Sequence, residues 1–289
     1  MELLSPTVDF IFKRIFGAEG NQDVLMSFLN AVFEDAGQPL IASVEILNPF
    51  LEKDALSDKM SVLDVKARTP SGTLMNVEIQ VRNRRDMEKR TLFYWAKMFQ
   101  DQLQTGDSYH DLHKTITVNV LDFDYLPTPH YHSTFHLRED ATGLVLTDLL
   151  EVHFVELRRL QDQLAIGQHR RLVLWLLFLT AQTPEGLEEL AMQEPTIHKA
   201  LTTLEFLSQD KRTRELYEER QKALMTYTAD MEGAREEGIQ KGEQIGIQKG
   251  EQIGIQKVAK ALLAAGDSVE KVMTITGLTR TEVDALQEH

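Results

Sequence analysis

Four residues on two short segments hold the chemical interest of this 289-residue chain. Asp64 and Lys66 lie two apart within Ser61 to Arg68, and Glu78 and Gln80 lie two apart within Leu74 to Val81. Both segments alternate polar and apolar residues, as a strand does when one face is buried. Leu63, Val65 and Ala67 oppose Asp64, Lys66 and Arg68 on the first; Met75, Val77, Ile79 and Val81 oppose Asn76, Glu78 and Gln80 on the second. Thr69-Pro-Ser-Gly-Thr73 between them is turn chemistry, so the pair reads as a hairpin. A turn centred on Ser71 sets Asp64 opposite Glu78, Lys66 opposite Asn76 and Val62 opposite Gln80.

Two carboxylates facing each other across a hairpin destabilise it unless something compensates. At a separation of ~5 Å and an effective dielectric of ~20 the repulsion is about 3 kcal/mol. A divalent cation reverses the sign. Mg2+ takes one or two protein carboxylates and completes its octahedron with water and phosphate oxygens. It lowers the pKa of a bound water and stabilises charge on a phosphodiester undergoing in-line displacement. The same pattern also fits exposed sheet carboxylates neutralised by Lys66 and Arg68.

A basic cluster follows the second strand: Arg82, Arg84, Arg85, Lys89 and Arg90. The formal charge of the chain is -14, so contact with a polyanion has to be local, through such a cluster. Taken alone, the run reads first as a solvated face. With no cysteine in the chain, disulfides, thiolate zinc sites and cysteine nucleophiles are excluded, and a reducing cytoplasm is the expected compartment. The nine histidines include His110, His113, His130, His132 and His136, without a helical zinc spacing. Walker A, dinucleotide-binding and nucleophile-elbow signatures are absent. The opening Met1-Glu-Leu-Leu-Ser-Pro-Thr does not read as a signal peptide, and the longest apolar run, Leu172 to Leu179, is too short for a bilayer and reads as a buried helix.

Around the hairpin, helical periodicity covers Thr7 to Phe16 and Asn21 to Phe33, and Ile41 to Leu47 reads as a strand closed by Asn48-Pro49. Asp86 to Gln104 reads as a helix with Leu92, Trp95, Ala96, Phe99 and Leu103 on one side, stopped at Gly106. Strands are expected at Lys114 to Leu121, Tyr131 to Leu137 and Glu151 to Leu157, and none after about residue 158. The fold class is therefore α/β (α+β), a mixed sheet flanked by helices and followed by an all-α C-terminal region.

From Gly238 to Lys257 an octet, Gly-Ile-Gln-Lys-Gly-Glu-Gln-Ile, recurs, placing glycine at 238, 242, 246, 250 and 254. On a helix these form one drifting stripe open to close approach, yet each costs roughly 1 kcal/mol relative to alanine. Such a helix needs a partner, and a homo-oligomer through the C-terminal helices is expected. A helical hairpin follows, with Asp267/Glu270 and Thr279/Glu282 spaced as capping boxes and Gly266 and Gly277 as stops. It fits a dimerisation cap or a helix-turn-helix reader that is poor in basic residues.

Several separated motifs together resemble the Rpn family, recombination-promoting nucleases and transposases of the PD-(D/E)XK superfamily. They are Ser5-Pro-Thr-Val-Asp-Phe-Ile-Phe-Lys-Arg-Ile-Phe-Gly17, Leu63-Asp-Val-Lys-Ala67, Asn76-Val-Glu-Ile-Gln80, Arg90 with Tyr94-Trp95, and Glu151-Val-His-Phe-Val-Glu-Leu157. The resemblance spans residues 1–160 and implies a restriction-endonuclease-like catalytic domain there, with a helical region over 161–232 and the repeat helix and hairpin over 233–289. It implies that Asp64 and Glu78 bind the metal, Mg2+ or Mn2+, and that Gln80 stands where the superfamily has a lysine. Glutamine supplies no charge, so Lys66, on the same face, is the stand-in. Asp9 and Tyr94 are implied accessory residues, and Arg82, Arg84, Arg85, Lys89 and Arg90 the contacts to DNA. The expected activity is metal-dependent DNA cleavage without a membrane association; the alternative is a catalytically inert, transposase-derived interaction protein.

Overall fold

A computed structural model describes residues 2–47, 65–160, 170–181 and 183–287. Two helices open the chain, α1 (Asp9–Phe16) and α2 (Gln22–Asp35). Six strands follow: β1 (Glu45–Ile46), β2 (Val65–Arg68), β3 (Leu74–Gln80), β4 (Thr115–Leu121), β5 (His132–His136) and β6 (Leu150–Glu156). Helix α3 (Met87–Gln100) lies between β3 and β4 in sequence. The sheet order is β1-β2-β3-β4-β6-β5. Strand β3 runs parallel to β4 and β4 parallel to β6, while the outer pairs are antiparallel. This is the expected mixed sheet flanked by helices. After β6 the described elements are all helical: α4 (Arg171–Thr180), α5 (Pro184–Gln193), α6 (Pro195–Gln209), α7 (Lys211–Ala264), α8 (Val269–Thr276) and α9 (Arg280–Gln287).

One sheet face is the apolar core. Val65, Ala67, Met75, Val77, Ile79, Ile116, Val118 and Val120 project onto it and pack with α1, α2, α4 and α6 in a single cluster. Phe16, Phe28 and Phe178 surround Trp175, with ring centroids 5.4 to 6.0 Å from the indole. Each such buried side chain contributes roughly 1.5–3 kcal/mol. The Leu172 to Leu179 run is indeed a buried helix, and it shares this core with the sheet.

The hairpin register follows the turn: Val65 pairs with Val77 and Lys66 with Asn76. Asp64 and Val62, whose pairing was expected from the same turn, lie outside the described residues, as do Asn48-Pro49. Gly72 sits in the turn with a φ of 89°, against His113, so only glycine fits there. The strand expected over Ile41 to Leu47 is reduced to two residues. Helix α3 also differs: its buried residues are Met87, Thr91 and Met98, whereas Leu92 is 52% exposed and Ala96 is exposed. The reason is the surface it covers. It lies over the polar face of β3 and β4, where Thr91 meets Asn119 and Trp95 meets the Thr115 carbonyl.

By contact, the chain divides into Met1–Tyr217 and Glu218–His289. In the second unit, the octets lie within the 54-residue α7, and Ala259, Val272 and Val283 form a small core. Thr279 and Glu282 make the expected capping box, the Thr279 N–H donating to Glu282 and the Glu282 N–H to Thr279. At the preceding helix the cap is Ser268 rather than Asp267; Ser268 accepts from the Lys271 N–H while Asp267 pairs with the Lys271 ammonium.

At the β5 edge a buried polar chain ties α2 to the sheet. Lys114 Nζ lies 2.6 Å from Glu151, whose other oxygen is 2.6 Å from His153 Nε2. His153 Nδ1 is 2.9 Å from His132 Nε2, and His132 Nδ1 is 2.8 Å from Asp35. Burial depresses the His153 pKa against the pull of Glu151. Burial alone would raise the Asp35 and Glu151 carboxyls. Hydrogen bonds from His132 and Tyr131 to Asp35, and from His153 and Lys114 to Glu151, outweigh it and hold both below their ordinary values. A depressed carboxyl stabilises the fold above its unfolded pKa, and that contribution fades as pH falls through the folded one. Protection of the β5 and β6 amides, measured against their intrinsic exchange rates, should therefore fall as pH drops below about 4. Glu151→Gln should cost about 3–5 kcal/mol at neutral pH and flatten that acid limb; an exchange profile unchanged by the substitution would refute the role given to this carboxylate.

Candidate active site

The polar face of the sheet is built by register. Asn76 pairs with Thr117, Glu78 with Asn119 and Gln80 with Leu121 across β3 and β4, so all six share the face under α3. Alternation had marked Glu78 as polar; here it is also 2% exposed. Burying a carboxylate is costly unless it is paired. Arg90 supplies the pairing from α3, its Nη2 lying 2.5 Å from Glu78 Oε1. Gln80 Nε2 donates to the same oxygen at 2.6 Å. Burial works against the Arg90 charge, but the Glu78 carboxylate outweighs it and raises the guanidinium pKa.

Oε2 of Glu78 is buried and has no hydrogen-bond partner among the described residues. Two donors on one oxygen and none on the other fix the carboxylate with one lone-pair edge open, which fits a hard cation as its partner. Among the described residues no group of three His, Asp or Glu side chains could hold a metal. The second carboxylate expected from the hairpin, Asp64, lies outside those residues.

Helix α3 is held on this face by polar contacts. Thr91 Oγ1 donates to Asn119 Oδ1 at 2.9 Å, Asn119 Nδ2 donates to the His153 carbonyl at 3.0 Å, and Trp95 Nε1 donates to the Thr115 carbonyl at 2.8 Å. At its N-terminal end Met87 enters a second apolar cluster with Leu121, Phe123, Val152 and Phe154. Asn76 was placed on this face from sequence without a role, and Thr91, Thr117 and Asn119 were not singled out, although the alternation in Thr115-Ile-Thr-Val-Asn119 was an available signal for the last two.

The remaining candidates are dispersed. Lys66 is half-buried, opposite Asn76. Arg84, Arg85 and Lys89 are exposed, while Arg82 is half-buried and Arg90 is turned to Glu78. Arg85 takes a left-handed φ of 59°, its N–H donating to the Asn83 side chain at 2.8 Å, and this bend presents the two arginines to solvent. The Tyr94 ring lies under the Arg90 guanidinium, 5.5 Å from centroid to Cζ. Asp9 accepts from the Phe10 N–H in the first turn of α1.

Arg90→Gln should leave Glu78 buried without a countercharge and cost about 3–5 kcal/mol. Joined to Glu78→Gln, it should cost less than the sum, because the double variant has no orphaned charge; strict additivity in chemical unfolding would show that the pair is not coupled.

Neither a curated protein nor a solved structure matches this chain. A family model does match, described as PD-(D/E)XK nuclease family transposase, over residues 6–234. That span extends past the 1–160 region that carried the resemblance and takes in α4 to α6. The chain belongs to the PD-(D/E)XK nuclease family transposases.

Proposed function

We propose that this protein is a Mg2+- or Mn2+-dependent endodeoxyribonuclease that hydrolyses DNA phosphodiester bonds in recombination or mobile-element movement. The observation that carries the reading is the Glu78 carboxylate, clamped by Arg90 and Gln80 with Oε2 left for a cation. Asp64 is the second ligand, by the register that sets Lys66 against Asn76. A bound ion supplies an activated water and charge stabilisation at the phosphate. Gln80, hydrogen-bonded to Glu78, acts on the carboxylate's orientation, and Lys66 brings the positive charge that glutamine lacks. Arg84, Arg85 and Lys89 grip the DNA backbone, giving the local positive surface that a chain of charge -14 requires. Tyr94 supports Arg90 from beneath. Among the described residues no helix is long and apolar enough to cross a membrane. The cysteine-free sequence suits a reducing cytoplasm.

Asp64→Asn and Glu78→Gln should each abolish cleavage of plasmid in Mg2+ or Mn2+, a loss of at least about 100-fold, while far-ultraviolet circular dichroism stays unchanged. Retained cleavage in both would move the site elsewhere. A wild-type protein that never cuts would favour the inert interaction protein.

Self-association through α7 is the second part of the proposal. A Cβ added at Gly238, Gly242, Gly246, Gly250 or Gly254 meets nothing within 4 Å, and Ile239, Ile245, Ile247, Ile253 and Ile255 are exposed beside them. Gly246→Leu therefore has room in a lone helix and gains propensity there. In light scattering it should reduce the mass of the assembled wild type towards that of one chain; an unchanged mass would rule out the glycine stripe as the interface.

A further inference from the structure

Buried polar atoms without partners are scarce in folded proteins, and each asks for an explanation. Under α3 they gather. Both amide atoms of Asn76, Oγ1 of Thr117, Oε2 of Glu78 and Nε of Arg90 are buried without a hydrogen-bond partner among the described residues. Asn76 is 1% exposed and Thr117 is fully buried. The two are register neighbours on β3 and β4, strands ~4.8 Å apart, yet their side chains do not bond to each other. Glu78 is the next residue along β3 on the same face. Asp86 Oδ1, just before α3, and Glu156 Oε2 are also unpartnered among the described residues, and the Glu156 side chain has a separate task, its Oε1 accepting from the Tyr125 and Leu126 N–H groups.

A buried water needs two to four polar partners. This patch offers an amide donor and acceptor, a hydroxyl, a carboxylate oxygen and a guanidinium N–H. We propose that ordered water occupies the patch between Asn76, Thr117 and Glu78, and that Asn76 is a positioning residue which orients Glu78 Oε2 through that water. The hydration stands on the unpartnered atoms alone. The bearing on metal binding rests on the nuclease reading. Mg2+ keeps several of its waters in protein sites, and Asn76 and Thr117 offer unpartnered polar atoms on this face to hydrogen-bond them.

Two measurements on the full chain separate the parts. Thr117→Val and Asn76→Leu are close in volume to the native residues, so their effect on thermal unfolding has a diagnostic sign. If water joins these groups to Glu78, both substitutions lower Tm. If the groups are dry, replacing an unsatisfied polar atom by an apolar one raises Tm, and the water site is overturned. Calorimetric titration with Mn2+ in the absence of DNA tests the positioning role. Asn76→Leu should weaken binding about tenfold, as loss of a ligand's supporting hydrogen bond does, and Asn76→Ser, which puts a hydroxyl in place of the amide, should recover much of it. Equal Mn2+ affinity in wild type and Asn76→Leu overturns the positioning role while leaving the nuclease reading intact. Wild-type affinity in Glu78→Gln instead overturns the metal assignment, and the Tm signs still decide the water site.

Discussion

Glu78 is buried because Arg90 reaches down from α3 to meet it. A carboxylate sealed beneath a helix without a countercharge would protonate or force the helix away. The ion pair therefore does more than neutralise: it fixes the turn of α3 that faces the sheet. Once Arg90 is inward, Thr91 follows at the next position and finds Asn119, and Trp95 one turn later finds the Thr115 carbonyl. Leu92 is left facing solvent by the same rotation. The polar face of the sheet and the helix over it are thus one interlocked unit, and the candidate chemistry sits at its centre.

The two faces of the sheet are held by different physics. On the core side, apolar side chains from β2, β3 and β4 meet four helices, and the driving force is non-directional burial. On the α3 side, position is set by directional hydrogen bonds and one ion pair, where the loss of a single partner strands the other. Towards the β5 edge, the core side also carries a charged chain from Lys114 to Asp35 that fastens α2 to β5 through His132 and His153. Specificity of packing at that edge comes from directional hydrogen bonds as much as from shape.

Most of the architecture was legible in the sequence. The two opening helices, the hairpin and its register, β4, β5, β6 and the buried Leu172 to Leu179 helix follow from periodicity and turn chemistry, which are local properties. The weak point was α3. Leu92, Trp95, Ala96 and Phe99 share a side, and a rule that turns apolar residues inward selects that side. It fails where the covered surface is itself polar, and nothing local says which surface a helix will cover. The same limit applies to Glu78: alternation assigns it to the polar face but does not say whether that face meets water or a helix. The partnership of His132 with His153 and Asp35 joins residues 21 and 97 apart, beyond the reach of any motif spacing. Membership of the PD-(D/E)XK nuclease family transposases was legible because its motifs are short and ordered along the chain.

The octets in α7 carry a geometrical consequence of their own. Eight residues of α-helix rise about 12 Å and turn through two full circles and about 80° more. Gain or loss of one repeat, an ordinary outcome of slippage at a tandemly duplicated stretch, would therefore shift Val258 and the hairpin behind it by that length and rotate them by that angle relative to the start of the repeats. The repeat number acts as a ruler and a dial at once.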